Sequence, residues 1–261
     1  MCELLGMSAN VPTDLCFSFT GLLHRGGGTG PHRDGWGVVF YEGKGIRAFR
    51  DSAPSIDSEI ARLVSRFPMK SCIAISHIRE ANVGAVNLEN THPFVRELWG
   101  QNWTFAHNGQ LENSADLPLG EFTPVGTTDS EHAFCWLLAK IKSRYGSADG
   151  PANDRINYWR QLKRWCDHLK GMGVTNLLFS EGRYLYAYCS TKLAWITRRA
   201  PFGEARLSDA EMTVDFGEHT TCNDVVTIIA THPLTDNETW KPMESGQFIV
   251  FDQGQVAFSL S

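Results

Sequence analysis

Hydrophobic and polar positions alternate between two periods along this chain. A period near two predicts strands at residues 3–9, 38–41, 46–49, 72–79 and 103–106 in the first half. In the second half it predicts strands at 174–179, 184–189, 194–197, 225–230, 248–251 and 256–258. Helical spacing appears four times. Leu15, Phe19, Leu22 and Leu23 form one apolar face behind Thr13, a candidate N-cap. Residues 57–67 predict a modest helix with Ile60, Leu63 and Val64 inward. Thr128-Asp129-Ser130-Glu131 has the form of a capping box and opens a helix carrying Phe134, Leu137, Leu138 and Ile141. A last helix over 154–170 lines up Ile156, Trp159, Leu162, Cys166 and Leu169. Glu42-Gly43-Lys44-Gly45 and Glu181-Gly182 read as hairpin turns, and residues 80–94 as a loop. Strand groups separated by a pair of helices, with no repeat or linker, predict one α+β domain over residues 1–261 with helices packed outside the sheets.

Composition changes this picture little. The 261 residues are 42% apolar and 20% charged, enough for a large core. A net charge of −5 argues against a nucleic-acid surface, and no apolar run reaches the ~18 residues that span a bilayer. The N-terminus lacks the pattern of a secretion signal. Seven scattered cysteines without C-x-x-C spacing suggest a reducing compartment, with neither a disulfide framework nor a zinc site. Together these point to a cytoplasmic protein free of metal and cofactor. The glycine-rich stretch 26–37 has neither phosphate-binding spacing.

The candidate chemistry begins at Cys2. Removal of Met1 would place a thiol and a free α-amine on one residue, and an amine titrating near ~8 can take the thiol proton unaided. Three polar clusters lie at predicted strand or helix ends: Ser76-His77-Ile78-Arg79, His107-Asn108-Gly109 and Thr128-Asp129-Ser130-Glu131. Taken singly, each has an ordinary explanation. The histidines suit a core, Asn108-Gly109 suits a turn, and Asp129 suits a helix dipole.

Taken in order, Cys2, His77-Ile78-Arg79, His107-Asn108-Gly109 and Thr128-Asp129 resemble the class II glutamine amidotransferase domain, an N-terminal-nucleophile (Ntn) hydrolase. Its stand-alone members are similar also at residues 1–8, 34–37, 90–94 and 230–235, so the resemblance covers essentially the whole chain. It implies a four-layer αββα sandwich of two mainly antiparallel sheets flanked by helices. It implies hydrolysis of the γ-amide of glutamine, or of a γ-glutamyl amide, to glutamate and ammonia or amine through a Cys2 thioester. Asn108 and Gly109 would hold the oxyanion, Arg79 the substrate α-carboxylate and Asp129 its α-ammonium. His77 joins the substrate side, and Arg25 would position the N-terminal residue or close the site. Glu80 and Asn82 stand where multidomain members have tryptophan and threonine, and Val83 replaces a histidine. A chain of this length leaves no room for a synthase domain. Ammonia would then pass to a separate subunit, or the protein would simply hydrolyse its amide, as some one-domain relatives do with γ-glutamyl compounds in thiol metabolism. The alternatives are a catalytically idle glutamine-binding module or regulatory subunit, and, more remotely, a His-assisted cysteine protease using Cys16, Cys72 or Cys135.

Overall fold

The first strand is buried on both faces, so it needs a layer on either side. In the computed structural model, which describes residues 2–81, 84–216 and 221–261, β1 (Glu3–Asp14) is buried throughout from Glu3 to Ala9. Its side chains alternate accordingly. Leu5, Met7 and Ala9 face helices, whereas Leu4 faces a second sheet. Gly6 lies close against the second sheet: a Cβ there would come within 3.1 Å of Leu178 and Leu185.

β1 pairs antiparallel with β4 (Lys70–Ile78) and β12 (Val225–Ala230). β2 (Trp36–Glu42) and β3 (Gly45–Asp51) extend the sheet on one side, β9 (Ala194–Arg199) and β13 (Lys241–Pro242) on the other. The order is β13-β9-β12-β1-β4-β2-β3. The second sheet runs β15-β14-β8-β7-β6-β5. Its strands are β5 (Phe94–Leu98), β6 (Gln101–Leu111), β7 (Gly173–Ser180), β8 (Tyr184–Tyr188), β14 (Phe248–Asp252) and β15 (Gln255–Leu260). Both sheets are antiparallel throughout. A ribbon of β10 (Glu204–Arg206) and β11 (Thr213–Asp215) stands apart.

α1 (Cys16–Arg25) and α2 (Glu59–Arg66) close the first sheet over Phe19, Leu22, Val38 and Ile228. α3 (Asp129–Tyr145) and α5 (Arg155–Lys170), joined through the short α4 (Asp149–Asn153), close the second over Phe105, Phe134, Leu162 and Phe179. Ile75, Ala106, Leu185 and Phe251 fill the space between the sheets. The α+β expectation and its four layers hold.

Several local expectations do not. Thr13 stays in β1, and Asp14 instead accepts the Cys16 N–H (3.1 Å) ahead of α1. α2 starts only at Glu59, capped by Ser58, and turns Ala61 and Val64 toward the core; Ile60 and Leu63 are exposed. On a helix this short either face could have been buried, and small Ala61 suits the close approach of α1. On α5, Tyr158 takes the inward position and Ile156 is exposed. β5, which starts at the last residue of the 80–94 loop, is a strand the pattern does not predict, and His107-Asn108-Gly109 continues β6 rather than ending it.

Candidate active site

Pairing of Glu3 with Ile78 puts Cys2 beside the residues that follow β4. The Glu80 N–H donates to Cys2 Sγ at 3.3 Å, and Glu80 O lies 3.4 Å from the same sulfur. Burial pushes the Cys2 thiol up to about 11, opposed chiefly by the Glu80 backbone bond. The turn that carries Arg79 and Glu80 is clamped by residues 34–37. Asp34 accepts the Ala81 N–H (2.7 Å), Asp34 N donates to Arg79 O (3.2 Å), and Arg79 N donates to Gly35 O (2.8 Å). At Gly37 a Cβ would sit 2.2 Å from His92 O, so only glycine admits the His92 segment.

The second sheet supplies the opposite wall. Thr128 caps α3 by accepting the Glu131 N–H (3.2 Å). The Glu131 carboxylate satisfies the Val125 and Gly126 N–H groups and pairs with Arg96. Asp129 thereby sits in the first turn of α3, where Oδ2 accepts the Leu111 N–H at 2.7 Å. His107 Nε2 lies 2.9 Å from Val174 O, and Nδ1 lies 2.9 Å from Ser130 Oγ. Those partners fit a neutral ring that donates from Nε2 and accepts at Nδ1.

Cys2, Arg79, Glu80, His92, Gly109, Thr128, Asp129 and Ser130 line one small pocket, with about 30 Å³ of free volume, a single water's share. Of the residues expected from sequence, Cys2, Arg79, Gly109 and Asp129 are therefore brought together. Arg79 is buried, and its guanidinium donates to Ala85 O (3.0 Å) and Gly84 O (3.3 Å). Burial lowers its pKa, opposed by Cys2 and Asp34.

Three expected residues stand behind the pocket rather than on it. Asn108 directs Nδ2 at Thr231 Oγ1 (3.3 Å). His77 is buried, with Nε2 3.1 Å from His107 O and its ring stacked 4.2 Å from His92. Arg25 pairs with Glu3 (3.0 Å) and Asp209 (2.8 Å) and donates to the carbonyls of His232 and Pro233. It braces the residue after Cys2. Met1, Asn82 and Val83 lie outside the described residues.

Sequence reasoning missed His92, Ser130 and Thr231 as parts of the site. His92 and Thr231 belonged to stretches already noted for similarity, 90–94 and 230–235, but their place beside Cys2 depends on sheet order. Among the described residues no group of side chains could hold a metal ion, and no helix is long and apolar enough to cross a membrane.

The model of the family "Glutamine amidotransferases class-II" matches residues 1–261. The chain belongs to the class-II glutamine amidotransferases. It is 60% identical over 255 residues to YafJ of Escherichia coli K12, which is provisionally named a glutamine amidotransferase; the match covers 98% of this chain and 99% of that protein. A crystal structure of a predicted glutamine amidotransferase from Pseudomonas aeruginosa PA01 is 56% identical, with a TM-score of 0.79, covering 98% of this chain and all of that one. The glutamine phosphoribosylpyrophosphate amidotransferase of Bacillus subtilis has a TM-score of 0.62 at 16% identity. That match covers 99% of this chain and 49% of that one, and shows the shared Ntn amidotransferase fold alone.

Proposed function

We propose that this amidotransferase hydrolyses the γ-amide of glutamine, or of a γ-glutamyl amide, through a thioester on Cys2. The reading is carried by one observation: the Cys2 sulfur opens into the same pocket as Arg79, Gly109 and Asp129. A thiol held protonated at neutral pH needs a base at hand. Removal of Met1 supplies one, because the Cys2 nitrogen then becomes an amine. As sulfur attacks Cδ, the amine takes the thiol proton, and the carbonyl oxygen becomes an oxyanion held by the Gly109 N–H and by the Asn108 amide once that turns from Thr231. Collapse breaks the C–N bond and returns that proton to the leaving ammonia. Water then cleaves the thioester to glutamate. Arg79 and Asp129 carry opposite charges suited to an α-carboxylate and an α-ammonium, which selects a free amino-acid head group. The ammonia is released or passed to a synthase subunit.

The test is glutamate release from glutamine and a panel of γ-glutamyl amides by the protein freed of Met1. Cys2→Ala is expected to abolish turnover with an unchanged circular dichroism spectrum, and an N-terminal extension that blocks the amine should do the same. Turnover surviving either change would overturn the mechanism.

A further inference from the structure

A second pocket, sharing no lining residue with the Cys2 pocket, opens where the β5–β6 and β7–β8 turns meet the start of α5. It has about 180 Å³ of free volume. Six aromatic side chains wall it: Trp99, Trp103, Tyr158, Trp159, Tyr184 and Tyr186. Glu181 faces it from the β7–β8 turn. One carboxylate oxygen, Oε1, accepts the Tyr184 N–H at 3.3 Å, and the carboxylate also faces the Tyr186 hydroxyl.

Its polar atoms set this pocket apart from ordinary core. Among the described residues ten buried side-chain N or O atoms have no hydrogen-bond partner. Five belong here: Nε1 of Trp99, Trp103 and Trp159, the Tyr184 hydroxyl and Glu181 Oε2, with the Tyr186 hydroxyl standing against both Trp159 and Glu181. Four more belong to His77, His92 and Asn108, around the Cys2 pocket. Leaving such a group unmet is costly, so a gathering of them at one place is not explained by packing. Among the described residues nine of the ten thus lie around the candidate active site or at this one other place, the tenth being Nε1 of Trp36. Burial also pushes the Glu181 carboxyl up to about 7.

Their chemistry narrows the ligand. The Trp99 and Trp103 indole N–H groups ask for acceptors, the Glu181 carboxylate can take a further donor, and flat walls ask for a ring. The cavity, about 180 Å³, is roomy enough for a heterocycle. At the mouth the guanidinium groups of Arg155 and Arg183 lie 5.2 and 5.0 Å from the Tyr184 ring centre. Arg183 has Asp252 only at 4.0 Å, and Arg155 opens α5, whose first turn is capped by the Asp154 carboxylate. An organic cation would meet two guanidinium groups and leave the indoles unserved. An anion-tailed heterocycle answers every group.

We propose that this pocket binds a nucleoside monophosphate, the base between the aromatic walls with an N–H on Glu181, and the phosphate at the mouth on Arg155 and Arg183. The test uses the full chain. Quenching of tryptophan fluorescence and calorimetric titration follow AMP, GMP, CMP and UMP, with their nucleosides, inorganic phosphate and tetramethylammonium alongside. At least one monophosphate is expected to saturate below 1 mM, with its nucleoside at least tenfold weaker. Arg183→Ala, at an exposed position, and Glu181→Gln should each weaken it at least tenfold with unchanged circular dichroism, while Cys2→Ala leaves binding intact. Absence of saturation by all four monophosphates would overturn the proposal. So would binding of tetramethylammonium in their place, or binding indifferent to both pocket substitutions. Because the readout is binding, it stands or falls apart from the hydrolytic activity.

Discussion

Thr231 joins the strand that follows the nucleophile to the proposed oxyanion donor. Its Oγ1 accepts the Leu4 N–H at 2.9 Å and lies 3.3 Å from Asn108 Nδ2. A hydroxyl that accepts still has its own proton to give, and Asn108 Oδ1 has no partner. With the amide turned over, Thr231 donates to Oδ1 and the Asn108 NH₂ is released toward a substrate oxygen. Oxygen and nitrogen of an amide are told apart only by such networks. On the proposed hydrolytic reading, Thr231 is thus a positioning residue. Thr231→Val should lower kcat for glutamine about tenfold to a hundredfold with KM little changed, less than the ~10²–10³ of losing a donor outright. Thr231→Ser should restore most of the loss. Steady-state kinetics decide it, and a defect confined to KM, or none, would remove this role.

At the scale of elements, β6 does what its sequence disguises. Asn108-Gly109 is a hairpin-turn dipeptide, yet it lies within a strand paired to β7. Gly109 is required by proximity: a Cβ there would meet Val174 O at 1.7 Å and His107 Nε2 at 2.7 Å. Gly109→Ala should therefore cost about 1–3 kcal/mol in urea unfolding, by pushing β7 away. Stability within a few tenths of wild type would show that the strands adjust freely. Signals of this local kind were the legible ones. The N-cap at Thr128 and the hairpins at Gly43 and Glu181 are fixed by neighbours in sequence and appear where the pattern puts them, although Glu131 spends its carboxylate on Val125, Gly126 and Arg96 rather than closing a capping box. The inward stripe of α5 was legible at Trp159, Leu162, Cys166 and Leu169, and that of α2 at Val64. Ile60, Leu63 and Ile156, by contrast, are exposed because equally suitable neighbours take the inward positions. Residues 34–37 carried similarity without a stated task; their task, clamping Ala81 and admitting His92, appears only when β2 lies beside β4. His92, Ser130 and Thr231 were hidden for the same reason.

At the scale of the whole molecule, the two sheets meet over three buried histidines: His77 from β4, His107 from β6, and His92 from the segment before β5. Burial lowers the pKa of each: His77 to about 3, His92 well below its ordinary value, and His107 downward despite the nearby Asp129. The folded protein refuses protons that the unfolded chain takes up near 6.5. Stability from these rings is thus complete above about pH 6.5 and is lost as pH falls toward 3, on the order of 5 kcal/mol for His77 alone. Glu181 acts in the opposite sense. Its carboxyl, raised from 4.5 to about 7 by burial, is better tolerated protonated, so its contribution is complete below about 4.5 and lost as pH rises through 7. Between pH 6.5 and 4.5 the two effects oppose each other, and below 4.5 the histidines act without that counterweight. Unfolding free energy from urea titrations at pH 4–8 should therefore fall toward acid, most steeply below about 4.5. Glu181→Gln removes the opposing group, so its loss between pH 6.5 and 4.5 should be steeper than that of wild type. Parallel curves for the two proteins would mean that Glu181 titrates alike in the folded and unfolded chain, and that the second pocket does not shield it from water.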